Sequence, residues 1–262
     1  VALLATPLLT HFLYKYRLGK QIRSGEDVAV FHSLHAKKAG TPTMGGLMIW
    51  CTCLLFAAVF WLGSKLWGGL FSQLNFVDRA ETYLPLAALA IAGALGFADD
   101  LLGIVLARRK EDGGRGNAGQ GFGIFPKIVM YILLAAVGAW WFYSKLDWGL
   151  LHVPLVGNFE IGAWYVPLFM FIIIASAFSA NEADGLDGLP GGVLLISFGT
   201  LGVVAFTLGR YDLATMIAVI TGALAAFLWF NVYPARFFMG DTGSMSLGVT
   251  LGVIAMLTNT AL

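Results

Sequence analysis

The chain has 262 residues, 58% hydrophobic and only 12% charged, with a net charge of +1. Soluble domains carry about 25% charged residues, so an ordinary soluble domain is excluded, and the near-neutral balance argues against nucleic acid as a partner. What remains is an all-α, polytopic transmembrane helical bundle, in keeping with a mean hydropathy of +0.80.

At about 20 residues per span, eight apolar segments follow one another at 1–16, 45–67, 83–107, 124–144, 163–180, 190–208, 213–230 and 243–262. The connections between them are too short for a soluble domain, so residues 1–262 read as one integral-membrane domain. The chain opens mid-pattern at Val1, and the first and last segments read as incomplete spans, which predicts truncation at both ends. Cys51 and Cys53 lie within an apolar run, too close for a normal disulfide, and read as small apolar residues of a membrane helix. Of the sixteen Lys and Arg residues, twelve fall in one alternating set of connections and four (Lys65, Arg79, Lys145, Arg210) in the other. The richer set is assigned to the cytoplasm, and every polar motif falls on that face.

The first cytoplasmic loop ends in HAKKAGTPTMGG. Lys37 and Lys38 suit phosphates, while Thr41, Thr43 and the Gly45-Gly46 pair offer hydroxyls and backbone N–H groups at a helix start. Taken alone, ordinary cytoplasmic lysines and a Pro-Gly turn explain this stretch as well. Next, GFADDLLG places Asp99 and Asp100 at the expected end of a helix, where the dipole disfavours negative charge. Two acids there call for a compensating cation, and Mg²⁺ with phosphate oxygens suits them. The glycines of 108–127 have no strand before them, so they are no nucleotide fingerprint. Lys127, at the next helix start, is within reach of an anionic ligand.

The stretch 181–192, NEADGLDGLPGG, follows an almost wholly apolar run and interleaves three acids with glycines. Charge beside membrane-depth sequence reads as a functional site, whereas a single acid would read as a helix cap. The last motif is FLWFNVYPARFFMGDTGSMSLG. Asp241 stands at a helix start, where its simplest role is an N-cap. Phe237 and Phe238 beside it suit stacking on a base or a place in the aromatic belt. Four separated segments thus bring acids or lysines to one membrane face, a pattern suited to phosphoryl transfer on a lipid.

The motifs GTPTMGG (40–46), GFADD (96–100), N..DGLDGL (181–189) and FLWFN.YPA..FMGDTGS (227–244) resemble the phospho-N-acetylmuramoyl-pentapeptide transferase (MraY) family, of the polyprenyl-phosphate N-acetylhexosamine-1-phosphate transferases. The resemblance runs through nearly the whole chain in order. It implies a ten-helix bundle in the bacterial cytoplasmic membrane, with its active site facing the cytoplasm. The implied reaction transfers phospho-MurNAc-pentapeptide from UDP-MurNAc-pentapeptide to undecaprenyl phosphate, forming lipid I and UMP for peptidoglycan. It implies that Asp99 deprotonates or orients the lipid phosphate and that Asp100 and Asp241 hold Mg²⁺. It further implies that Asn181, Asp184, Gly185, Leu186 and Asp187 line the nucleoside pocket with Phe238 on uracil. Lys37 or Lys38, Thr41 and Lys127 would meet phosphates, and the family's habit of pairing implies a homodimer. The chain departs from the pattern in having Gly103 where the family has Lys, Glu182-Ala183 for Leu-Thr, and Pro190 for Ala. Rival readings are a sister enzyme using UDP-GlcNAc, a homologue that binds without turnover, and a cation-coupled transporter. The last would place its acids near mid-membrane.

Overall fold

The computed structural model describes residues 1–16, 41–111, 122–145, 149–153 and 156–260. Among these, nine helices run α1 (Ala2–Lys15), α2 (Leu47–Leu66), α3 (Leu70–Leu74), α4 (Ala80–Glu111), α5 (Ile124–Lys145), α6 (Tyr165–Ala183), α7 (Leu189–Thr207), α8 (Tyr211–Asn231) and α9 (Asp241–Leu257). Six of them, α2 and α4 to α8, are long and apolar enough to cross a membrane. All eight expected apolar segments are helical, and the chain is an all-α, multi-pass membrane protein. Exposed Trp67 and Trp164 at one end and Trp229 and Tyr233 at the other fit aromatic belts at two membrane–water boundaries.

Two small features were not expected. The five-residue α3 follows α2 directly, and residues 150–160 fold back as an antiparallel hairpin, β1 (Leu150–Val153) on β2 (Gly157–Glu160). His152 lies in this hairpin, where its backbone N–H donates to Asn259 and its ring meets Asn158.

The organising element is α9. Fifteen of its residues are buried, among them Thr242, Ser244, Ser246 and Thr250. Helix α9 is thus enclosed by other helices along nearly its whole length. Its hydroxyls are satisfied by bonding back to the preceding turn, Ser246 Oγ to the Thr242 carbonyl at 2.9 Å and Thr250 Oγ1 to that of Ser246 at 2.7 Å. Its closest packing is on α4 and α6. Gly248 and Gly252, four apart, face Ser176, Ala177 and Ile173 of α6 so tightly that a Cβ on either would collide. Small residues at this spacing let two membrane helices approach backbone to backbone.

The far end of α9 is closed inside the chain. Asn259 adopts a left-handed φ of 55°, and the Thr260 N–H reaches back to the Ala255 carbonyl at 3.0 Å. Arg210 Nη1 also caps the Leu257 carbonyl at 2.5 Å, and it pairs with Glu81 at 3.6 Å. The other end of α9 carries the polar motifs.

Candidate active site

Three carboxylates and one ammonium meet where α4, α5, α6 and α9 converge. Asp99 and Asp100 stand well inside α4, which continues to Glu111. The expectation of a helix end is therefore corrected, and the argument from the α4 dipole falls with it. Charge compensation comes instead from other elements. The α4 acids are almost fully buried, with Asp99 1% and Asp100 5% exposed. Lys127, in the first turn of α5, places its Nζ 2.9 Å from Asp99 Oδ2 and 2.8 Å from Asp241 Oδ2. The other oxygen of each carboxylate takes a neutral donor, the Phe122 N–H on Asp99 Oδ1 and the Asn181 amide on Asp241 Oδ1. Asn181 also donates to Ser244 Oγ at 3.1 Å.

Asp100 has a different attachment. Its Oδ2 accepts both the Thr242 N–H (2.9 Å) and the Thr242 hydroxyl (2.7 Å). It therefore satisfies an orphan donor at the start of α9 from across the helix interface, the task a local cap residue would otherwise perform. The local cap position belongs to Gly240, and Asp241 is the first residue of the helix, so the N-cap reading of Asp241 is corrected. Both acids lie at the positive end of the α9 dipole, which favours negative charge.

Gly240 is required by the geometry. Its φ is +72°, and a Cβ there would lie 2.5 Å from both Asp100 Oδ2 and Thr43 Oγ1. The Thr43 hydroxyl is buried and has no hydrogen-bond partner among the described residues.

The TPTMGG and FFMG motifs pair with each other by backbone. The Phe238 N–H donates to the Pro42 carbonyl, the Gly45 N–H to the Phe238 carbonyl, and the Gly46 N–H to the Met239 carbonyl, at 2.8 to 2.9 Å. The two glycine N–H groups expected to offer an anion site are thus already committed. Thr41 stands half-buried at the edge of this pairing. Phe237 is fully buried against Phe227 and Phe230, so it is a core residue, and its half-buried neighbour Phe238 is the remaining aromatic candidate. Lys37 and Lys38 lie outside the described residues.

The NEADGLDGL loop is tied to the same segment. Asp184 Oδ2 accepts the Gly240 N–H at 2.7 Å, and Asp187 Oδ2 accepts the Ala235 N–H at 3.3 Å. Gly185 and Leu186 between them are exposed. Asn231, the last residue of α8, was not singled out in the sequence. It is 1% exposed, accepts the Gly188 N–H at 3.0 Å and donates to the Phe237 carbonyl at 2.9 Å. An Asn ending an apolar helix was the available signal. Because each orphaned buried backbone group costs about 1–3 kcal/mol, Asn231→Ala is expected to destabilise the fold by about 2–4 kcal/mol. Thermal unfolding in detergent would register it as a clear fall in midpoint.

The arrangement offers a carboxylate pair that holds a cation, the Lys127 ammonium, with an aromatic, Phe238, in the neighbouring segment. The glycosyl transferase family 4 model matches residues 82–259, and the phospho-N-acetylmuramoyl-pentapeptide-transferase signature 1 matches residues 38–49. A phospho-N-acetylmuramoyl-pentapeptide-transferase of Chloroflexus aggregans is 37% identical over 254 residues, which are 94% of this chain and 62% of the relative. The protein of that name from Geobacillus thermodenitrificans is 33% identical over 259 residues, 98% of this chain and 72% of the relative. The one from Clostridium novyi is 31% identical, again over 98% of this chain. The chain thus spans 62% to 72% of the length of these relatives. A family model covering all the acids of the site, with relatives of one name along nearly the whole chain, shows that the chain belongs to glycosyl transferase family 4 and, within it, to the phospho-N-acetylmuramoyl-pentapeptide transferases.

Proposed function

We propose that the protein transfers phospho-MurNAc-pentapeptide from UDP-MurNAc-pentapeptide to undecaprenyl phosphate, releasing UMP and forming lipid I. It would do so at the cytoplasmic face of a bacterial inner membrane. The observation that carries this reading is the buried Asp99–Lys127–Asp241 bridge, set beside the family signature at residues 38–49. The reaction forms a bond between an oxygen of the lipid phosphate and the phosphorus attached to the sugar. It breaks that phosphorus's bond to the bridging oxygen, which leaves with UMP. Such a transfer needs positioning and charge neutralisation more than covalent chemistry. The lipid phosphate is largely ionised at neutral pH, so one direct displacement suffices, and Asp99 would orient it through the cation it helps to hold rather than deprotonate it.

The donor set fits Mg²⁺, because two hard carboxylate oxygens, Oδ2 of Asp99 and Oδ2 of Asp241, converge on a single positive group. The proposed metal seat is therefore the Asp99–Asp241 pair, with Asp100, whose Oδ2 bonds Thr242, kept as a further proposed ligand. When bound, Mg²⁺ would neutralise charge on the pyrophosphate. Lys127, released from the carboxylates, would meet phosphate oxygens, joined by Lys37, Lys38 and Thr41. Phe238 is proposed to stack on uracil above the loop of Asn181, Asp184, Gly185, Leu186 and Asp187. A homodimer is proposed on family grounds alone.

The test feeds UDP-MurNAc-pentapeptide and, separately, UDP-GlcNAc to the protein with undecaprenyl phosphate in detergent. Expected is UMP release from the first donor, dependent on Mg²⁺ and lipid. Release from UDP-GlcNAc alone would move the assignment to the sister enzyme.

A further inference from the structure

Tyr131 stands on α5 four residues after Lys127, on the same face and one turn deeper in the bundle. It is 1% exposed, and its hydroxyl has no hydrogen-bond partner among the described residues. A buried hydroxyl in an apolar wall is unfavourable unless something satisfies it, and phenylalanine would fill the same space. Tyr165 on α6 is also buried with an unpartnered hydroxyl, which makes it an internal comparison. Tyr165 opens α6, at the end opposite Asn181, and packs among Phe142 and Phe169, whereas Tyr131 follows Lys127 by one turn of α5. The i, i+4 spacing places Tyr131 next to Lys127 along α5, one turn further from the helix start.

The Lys127 ammonium holds the position between Asp99 Oδ2 and Asp241 Oδ2. A divalent cation and an ammonium repel each other and cannot occupy the same position between the two oxygens, so loading the site there displaces the lysine. Once its carboxylates are engaged, Lys127 needs another acceptor, and the phenol one turn along α5 has no hydrogen-bond partner among the described residues. We propose that Tyr131 is a positioning residue whose hydroxyl accepts the Lys127 ammonium when a divalent cation takes the lysine's place between Asp99 and Asp241. Held there, Lys127 turns its remaining protons toward the phosphate oxygens. This rests on the proposed metal pair, but its test does not require turnover.

The test is a double-mutant cycle on Mn²⁺ affinity, read by the loss of free Mn²⁺ electron-spin signal in detergent. Tyr131→Phe should weaken Mn²⁺ binding about tenfold, the typical worth of a hydrogen bond to a charged group. Tyr165→Phe should not change it. Lys127→Gln should strengthen binding by removing the competitor, and in that background Tyr131→Phe should have no further effect. Equal affinity in the wild type and Tyr131→Phe overturns the proposal, as does an effect that persists without Lys127 or a wild type that binds no Mn²⁺. If Lys127→Gln does not fold, the ring carbon bearing the hydroxyl, labelled with ¹³C, decides. The resonance missing from Tyr131→Phe should shift when Mg²⁺ is added, and a stationary resonance overturns the proposal. Activity separates the two readings. In Tyr131→Phe, kcat should fall with an unchanged KM for the nucleotide sugar. A positive Mn²⁺ cycle in a protein that releases no UMP would leave Tyr131 in place and remove the transferase reading.

Discussion

Asp241→Asn is expected to lower UMP release by roughly 10²–10³-fold, the usual effect of deleting one preorganised electrostatic partner of a reacting group. Folding and uridine-nucleotide binding should survive. Asparagine has nearly the shape of aspartate, and its carbonyl oxygen can still accept the Asn181 amide that now reaches Asp241 Oδ1. Lys127 retains Asp99 at 2.9 Å. What disappears is one negative charge from the carboxylate pair that converges on Lys127. Asp241→Ala is a different experiment, because it removes an acceptor from both Asn181 and Lys127 and should cost about 1–3 kcal/mol of stability as well. The measurements are UMP release, calorimetric titration with a uridine nucleotide, and thermal unfolding of the same samples. Activity within threefold of wild type would take Asp241 out of the cation seat. Loss of nucleotide binding along with activity would assign it to scaffolding.

The sequence made the membrane bundle and the clustering of motifs legible for separate reasons. Apolar length is a one-dimensional property, and the asymmetry of Lys and Arg between alternate loops places all the motifs on one face. The pairing of side chains across helices is not one-dimensional. Asp99 and Asp100 are neighbours in sequence but diverge by about 100° around α4, so one meets Lys127 and the other meets Thr242. Nothing in the string DD tells which. The reading of Lys127 as a phosphate ligand missed that its ammonium joins two acids more than a hundred residues apart. Gly45 and Gly46 looked like an open nest of N–H groups because their partners, the carbonyls of Phe238 and Met239, belong to a motif nearly two hundred positions away. Helix α9 looked like one more lipid-facing span because apolar length does not tell lipid from other helices as surroundings.

The second large effect comes from a residue with no side chain. Gly96 lies on α4 three and four positions before Asp99 and Asp100, so around the helix it falls between the two acids. That side of α4 meets the first turn of α9. A Cβ at Gly96 would overlap the Asp241 backbone carbonyl oxygen and lie 2.6 Å from its carbon and 2.9 Å from the Thr242 Cα. None of these atoms belongs to a flexible side chain, so α4 and α9 must separate. Overpacking of this kind costs about 1–3 kcal/mol. A separation of about 1 Å at a catalytic constellation can cost 10²-fold in rate. Gly96→Ala is thus expected to fold with a lowered unfolding midpoint and to lose about 99% of its UMP release, although no acid has changed. Gly222→Ala is the control, since Gly222 lies inside α8 with no atom within 4 Å of its added Cβ. It should be neutral or stabilising by about 0.5–1 kcal/mol, as expected for alanine replacing glycine within a helix. If Gly96→Ala behaved like Gly222→Ala in both stability and rate, the close approach of α4 to α9 would not be what sets the distances among Asp99, Asp100 and Asp241. If it lost rate alone, the interface would position the acids without limiting the stability of the bundle.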